Sequence, residues 1–396
     1  MRAKLDADVV VLGGGCAGLS LGAQLARLGP DAPRTLIIEP RDTYSNDRTW
    51  SGWRQRPHLF EPCVSHSWDR WRVAAGGRTV ERGDKAARYE TIPADAFYAR
   101  AQRLIGAAQH LSLRTGVTAG ATGADTESAW VETSHGRLRA GLIVDTRPPP
   151  PEPGAGLLQL FTGIEVETEA PCFDPAVADL MLFDPPSDQH VSFVYGLPFS
   201  PRHALIELTH FTPGHAPLPT RAHVLARIAA RVSGRFTIRR VESGVLAMCP
   251  GLPAPLRHPR LLTLGTLGGA ARPATGYAFA NIQLQAEALA GCLRHGVPAA
   301  LGWRPPMLPH WLRAMDRLFL RVLRLHPERG PHLLFDLFDR CPAPALIRFL
   351  SGTGSPLDAA RVACALPKLD FATGLLGGAT AVPQRGDATA WLGATA

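Results

Sequence analysis

The stretch from Asp8 to Glu39, DVVVLGGGCAGLSLGAQLARLGPDAPRTLIIE, leaves few folds open. The apolar run Val9 to Leu12 enters Gly13-x-Gly15-x-x-Gly18, an amphipathic segment follows from Leu19 to Leu28, and a second apolar run, Thr35 to Ile38, ends on Glu39. This pattern reads as strand, helix, strand. Gly13 suits a tight turn, Gly15 lets backbone approach a pyrophosphate, and Gly18 lets the helix pack close to the strand. The helix N-terminus would offer free N–H groups and a partial positive charge to phosphates. Glu39 would accept from ribose hydroxyls, which suits FAD or NAD and argues against NADP. The alternative is an ordinary glycine-rich turn between strand and helix.

At 396 residues the chain exceeds one ordinary domain, and two closely packed domains are expected. Pro40 to Ala87 reads as an irregular excursion rich in Trp, Arg and His, containing Asn46-Asp47-Arg48-Thr49-Trp50. Ile92 to Ile105, with Pro93 at its start, predicts a helix. Leu111 to Val117 and Ala129 to Thr133 predict short strands, and Leu138 to Asp145 returns to the nucleotide sheet at Asp145-Thr146-Arg147. Pro148 to Pro153 reads as a stiff spacer. From Leu158 to Met248, four β-rich segments suggest an antiparallel sheet, with one helix from Thr220 to Ser233.

A second glycine-rich junction follows. Leu261 to Leu264 delivers Gly265, Gly268 and Gly269, and Pro273-x-x-Gly276 precedes a helix from about Ala278 to Cys292. The two junctions have one explanation if the first holds the ADP half of FAD and the second contacts its ribityl chain and isoalloxazine. The expected fold class is therefore α/β. It comprises a discontinuous Rossmann-like FAD-binding domain (1–50, 88–150 and 256–300), a β-rich substrate domain (51–87 and 151–255), a helical C-terminal region (301–366) and a loosely ordered tail (367–396).

The longest apolar runs fall far short of the roughly 20 residues needed to cross a bilayer. Met1 to Asp8 leaves no room for a signal peptide's apolar region, so a cytoplasmic location is expected. The cysteines are scattered without a C-x-x-C pair, and the histidines lack metal-site spacing, so no metal is expected. The net charge of +8 leaves a nucleic acid, an anionic membrane surface or a coding bias open. Without zinc-finger, RNP or helix-turn-helix patterns, no nucleic-acid partner is expected.

In order and spacing, Asn46-Asp47-Arg48-Thr49-Trp50, FVYGLPFS at Phe193 to Ser200, Glu207-Leu208-Thr209-His210, and Gly265 to Phe279 resemble the motifs of the bacterial lycopene β-cyclases. The likeness runs from Asp8 to about Val362, with Met315-Asp316 and Arg348-Phe349-Leu350 as weaker late matches. It implies an aromatic-hydroxylase-like flavoprotein fold, shared with geranylgeranyl reductases. It also implies that an acyclic carotenoid end group is protonated, that a neighbouring double bond attacks the tertiary cation, and that proton loss leaves a β-ionone ring. Substrate and product are isomers, yet the family uses reduced FAD, with NAD(P)H as the usual electron source. A redox flavoprotein (monooxygenase or isoprenoid reductase) and a non-catalytic carotenoid-binding flavoprotein are the competing readings.

Glu207 is the candidate acid, because a carboxyl in an apolar cleft is held protonated. Two alternatives stay open: Glu207 and Thr209 could face water, or Glu207 could stabilise cations while reduced flavin donates the proton. Arg48 is a candidate for phosphate or flavin, and Trp50 and Tyr277 for the substrate channel. Asp145 and Arg147 are expected to organise the sheet. Two departures from the family's pattern stand out: Gly265-Thr266 replaces the Gly-Asp of related flavoproteins, and Met181-Leu182 replaces a frequent Met-Asp, for which Asp184 could substitute. The stripe Arg313, Arg317, Arg321 and Arg324, with Trp303 and Trp311 nearby, offers peripheral binding to a membrane surface. A solvated helix face is the plainer reading.

Overall fold

The computed structural model of the chain describes residues 4–149, 156–213, 217–248 and 257–367. Most of the Pro148 to Pro153 spacer and nearly all of the expected tail lie outside them. Strand Ala7–Leu12 (β1), helix Cys16–Arg27 (α1) and strand Thr35–Ile38 (β2) form the unit that the glycine motif demands. Next come strands Thr49–Trp53 (β3), His66–Trp68 (β4), Arg70–Ala75 (β5) and Arg78–Gly83 (β6). The expectation of irregular chain from Pro40 to Ala87 is thus corrected. In β5 the side chains of Trp71, Val73 and Ala75 are buried while arginines alternate outward, a period-2 pattern that the arginines disguise.

Strand Tyr89–Pro93 (β7) precedes helix Ala94–Gly106 (α2), with Pro93 at its cap. Strands Leu111–Arg114 (β8), Ala119–Ala124 (β9), Ala129–Thr133 (β10) and Gly136–Asp145 (β11) follow. Then come Leu157–Thr168 (β12), Val177–Phe183 (β13), Val191–Ser200 (β14), His203–Pro213 (β15), helix Arg221–Ala229 (α3) and Phe236–Met248 (β16). Strand Leu261–Thr263 (β17) leads to helices Phe279–Leu293 (α4) and Val297–Ala300 (α5). Helices His310–Leu325 (α6), Gly330–Arg340 (α7), Ala343–Leu350 (α8) and Pro356–Ala365 (α9) complete the described chain.

In the first sheet the order is β8-β2-β1-β11-β10-β9, with β17 parallel to β11. Side-chain alternation along β1 sends Val9 and Val11 toward α1, α2 and α4, and Val10 and Leu12 toward Ala129 and Val131. Both faces are covered, as a parallel core requires. The second sheet runs β16-β12-β15-β14-β13-β5-β6; it is antiparallel except where β13 lies parallel to β5. Strands β3, β7 and β4 form a small third sheet beside it. One face of the second sheet packs on α3 through Ile206, Leu208, Val224 and Ile228. The other packs toward the C-terminal helices through Leu205, Phe211, Leu334 and Phe338.

Candidate active site

The glycines of the first junction divide their work. Gly13 has φ +99°, and a Cβ there would meet Thr146 Oγ1 at 2.9 Å. A Cβ on Gly18 would overlap the Gly13 carbonyl, so this glycine seats α1 on the turn. Gly15 has open space around it and no side chain caps α1, so the first-turn N–H groups look into a cavity that Gly15, Cys16 and Ala17 help to line. Burial pushes the Cys16 thiol up to about 12, so it adds no negative charge there. Arg48 lines the same end, paired with Asp47 at 2.9 Å. These groups form a ready anion site.

Glu39 follows β2, as the motif predicts, and its oxygens are already engaged. Its Oε2 accepts from Gly14 N at 2.6 Å, its Oε1 accepts from Arg41 Nε at 2.6 Å, and it does not line the cavity. Arg41 continues to Asp47 and the Tyr98 hydroxyl, so Glu39 locks the turn from beneath.

The second junction touches the first: a Cβ on Gly265 would sit 2.6 Å from Ala17 Cβ. Gln285 accepts from Gly265 N and donates to Gly268 O, tying this loop to α4. Gly265, Gly268 and Gly269 therefore serve packing and turn geometry, while Thr266 and Gly276 reach the cavity. A Cβ on Gly276 would approach Gln159 Oε1 at 2.9 Å. That oxygen is buried without a hydrogen-bond partner in the cavity wall, ready for a donor on a bound group.

The cavity holds about 1080 Å³ and extends from these junctions to the C-terminal helices. Its wall there is apolar, including Met181, Phe193, Met315, Phe319, Leu334 and Phe338. Trp50 lines the nucleotide end, held by Phe97 and Phe279 with centroids at 4.8 and 6.0 Å.

Glu207 enters from β15. Alternation turns Leu205, Glu207, Thr209 and Phe211 to the cavity, where Glu207 is half-buried. His210 turns the other way and lies against His190, with ring centroids at 4.5 Å; burial, then His190, lower its pKa to about 4. Across β12, Gly163 is paired with both Glu207 on β15 and Glu242 on β16. A Cβ on Gly163 would lie 2.8 Å from Glu207 Cγ and 3.2 Å from Glu242 Cγ. The glycine leaves the space in which the two carboxyls meet. Burial, then Glu242, push the Glu207 carboxyl well above the usual carboxylate range, with Arg240 pulling the other way.

Behind the pair, Glu242 is 5% exposed and accepts from Thr49 Oγ1 at 3.0 Å and from Arg240. Arg240 also bonds Thr49 Oγ1 at 2.7 Å and Glu165 at 2.9 Å, and Glu165 pairs with His203 at 2.7 Å. On the other side, Tyr195 is the register partner of Glu207 on β14, and its hydroxyl meets that of Tyr89 at 2.9 Å. Tyr89 in turn faces the Tyr277 hydroxyl. Burial, then a charged or phenolic neighbour, raises all three phenols, which stay neutral.

Glu242, Tyr89 and Tyr195 were not anticipated from the sequence. The available signal was Gly163, a lone glycine inside a strand, which marks close approach of neighbouring groups. Asp145 and Arg147 pair at 2.7 Å, and Arg147 binds the Ala119 carbonyl, holding the sheet as expected. Asp184 does not substitute for the missing aspartate: it binds Arg227 and Ser192 on the α3 side. Leu182 also packs on that side, while Met181 lines the cavity. The weak late matches converge, since Arg272, from the second junction, holds Asp316 at 2.8 Å and also binds the Phe349 carbonyl. Among the described residues no metal-holding cluster is found, and no helix is long and apolar enough to cross a membrane.

Comparison with known proteins gives these features a context. The family model described as "Lycopene cyclase protein" matches residues 8–374. An uncharacterized carotenoid cyclase of Deinococcus radiodurans is 27% identical over 87% of this chain and 86% of its own length. A lycopene beta-cyclase of a Paracoccus species is 28% identical over 60% of this chain and 64% of its own. The fold is that of the aromatic-hydroxylase-like flavoproteins. A flavin-dependent monooxygenase solved with FAD and substrate superposes with TM-score 0.58 at 14% identity, over 93% of this chain and 72% of that one.

Proposed function

The chain belongs to the lycopene cyclase protein family, and from that premise we propose that it closes β-ionone rings on the ends of an acyclic, lycopene-like carotenoid without net redox change. The carrying observation is the place of Glu207, a carboxyl in the wall of a large, mainly apolar cavity, where burial and Glu242 push its pKa up. Such a group can protonate an alkene that the apolar walls have stripped of water. The terminal double bond takes the proton and becomes a tertiary cation. The neighbouring double bond attacks that cation, and loss of a ring proton completes an isomer of the substrate. The neutral faces of Trp50, Tyr89 and Tyr277 stabilise positive charge without capturing it.

FAD fits the junctions. The Gly13 to Gly18 turn and Arg48 would hold the pyrophosphate, and Thr266, Gly276 and the free Gln159 oxygen would meet the flavin end. Reduced FAD, kept so by NAD(P)H, would supply negative charge beside the cation. Glu39 would support the ribose only from beneath the turn.

Docking on an anionic membrane surface belongs to the same proposal, because the substrate is a bilayer-soluble hydrocarbon. Arg317 and Arg324 are exposed on α6, while Met315 and Phe319 of the same helix line the cavity. Trp303 and Trp311 pack into the cores instead of outward. Sedimentation with anionic liposomes should show binding that high salt weakens; its absence at low salt rejects docking.

Expression in lycopene-accumulating cells, followed by pigment chromatography, tests the activity. Ring-ended products are expected. Unchanged lycopene in the presence of folded, FAD-bound protein rejects cyclisation, and NADPH consumed in step with product would favour a redox enzyme.

A further inference from the structure

Glu207 is accompanied in a way that its own motif does not reveal. Three strands bring two glutamates and a glycine into one row across the sheet: Glu207 on β15, Gly163 on β12 and Glu242 on β16. Any side chain at Gly163 would wedge the carboxyls apart, since even a Cβ would come within 2.8 Å of one and 3.2 Å of the other. The two members of the pair have different surroundings. Glu207 lines the cavity; Glu242 does not, and instead accepts from Thr49 and Arg240. Thr49 belongs to the Asn46 to Trp50 stretch, whose Arg48 and Trp50 line the nucleotide end.

We propose that Glu242 is a positioning residue for the acid: the row at Gly163 sets its carboxyl against that of Glu207, and the two hold one proton between them, with Glu207 the member that reaches the cavity. This rests on the cyclisation reading for what the proton is used for, but not for its existence. When Glu207 gives the proton to the alkene, an O–H bond breaks and a C–H bond forms, leaving two adjacent carboxylates with Arg240 beside the new carbocation. The extra negative charge opposes that cation at short range. It also makes the pair a strong acceptor for the proton that the closing ring releases, so the pair returns to its starting state. No oxidant or reductant enters this exchange.

The groups facing the pair are Arg240 on its own side, Glu165 from β12, Tyr195 from β14, Tyr89 from β7 and Tyr277 from the second junction. The phenols are neutral and Arg240 is the cation nearest the pair, so after burial itself Glu242 is the neighbour that most favours a proton on Glu207. An acid of this kind works below its pKa and fails above it. Removing Glu242's charge moves that failure to lower pH.

The test uses the full-length chain with FAD bound. In Glu242→Gln the amide no longer repels a Glu207 carboxylate. At pH values above both the wild-type and the variant pKa, cyclisation should fall by roughly tenfold for each pH unit by which the pKa drops, and should recover on acidification. Gly163→Ala, which keeps both carboxyls but separates them, should shift the profile in the same direction, and Glu242→Asp should restore part of it. Infrared difference spectra give a readout independent of activity. The wild type should show a protonated-carboxyl carbonyl band at neutral pH that Glu207→Gln removes and Glu242→Gln weakens. A wild-type chain without that band overturns the proposal whether or not the variants fold. So does equal loss of rate at every pH in folded Glu242→Gln. If the band behaves as expected while the wild type forms no ring, cyclisation alone is rejected and the shared proton stands.

Discussion

Two buried charge clusters flank the cavity, and they are opposites. Arg272 and Asp316 are 1% exposed each, carry opposite charges and satisfy each other at 2.8 and 3.1 Å, with the Phe349 carbonyl and ring completing the guanidinium's shell. Glu207 and Glu242 are both carboxyls, and on top of burial their closeness pushes the Glu207 pKa up. The first cluster joins the second glycine junction to α6 and α8, and has no labile proton to offer. The second is poor as a clamp and well suited to chemistry. Burial alone therefore does not distinguish the two clusters; the sign of the neighbour does.

The largest effect that separates the clusters is on rate. Glu207→Gln keeps the size and a hydrogen-bonding end but has no acidic proton. Ring formation should drop by about 10²- to 10⁴-fold, read by pigment chromatography of reaction products, with the chain still folded. Full activity would show that Glu207 is not the acid and that its pairing with Glu242 has another purpose.

The next effect is on stability, and it belongs to the other cluster. Arg272→Met leaves Asp316 buried without a cation, which should cost about 3–5 kcal/mol in chemical denaturation. Adding Asp316→Leu should recover most of that loss, because an apolar pair removes both desolvation penalties. If the double variant is as unstable as the single one, the pair is not the clamp and the packing around Phe349 is.

How much of this contrast was legible beforehand follows from which interactions are local. The first glycine turn was readable because Gly13 and Gly18 are demanded by backbone geometry within a single strand and helix. Glu207 was readable because its own strand is apolar. Glu242 was not: its segment reads only as one more strand of an antiparallel sheet, and it is pairing through β12 that sets Glu242 beside Glu207. Tyr89 and Tyr195 lie 106 residues apart in sequence and meet only in the fold. Glu39 shows the reverse case, in which the motif predicted the position but not that Arg41 and Gly14 would occupy its oxygens. Asp316 and Phe349 stand in the sequence as weak late likenesses unconnected to Arg272 of the second junction, and the fold brings the three together.

The smallest effect is also the one that discriminates the clusters most sharply, because it has a sign as well as a size. A carboxyl whose pKa is raised in the folded state binds more protons folded than unfolded between its unfolded and folded pKa values. The wild type therefore loses stability through Glu207 as pH rises across that window, by up to about 1.4 kcal/mol per pH unit. Below the unfolded pKa, near the ordinary glutamate value, this contribution is fully present. Glu207→Gln has no such term. The stability of Glu207→Gln relative to wild type should therefore climb as pH rises from about 4.5, measured by urea denaturation at a series of pH values. A flat difference would mean that Glu207 stays ionised in the folded chain, and the like-charged cluster would then differ from Arg272 and Asp316 only in being less well paired.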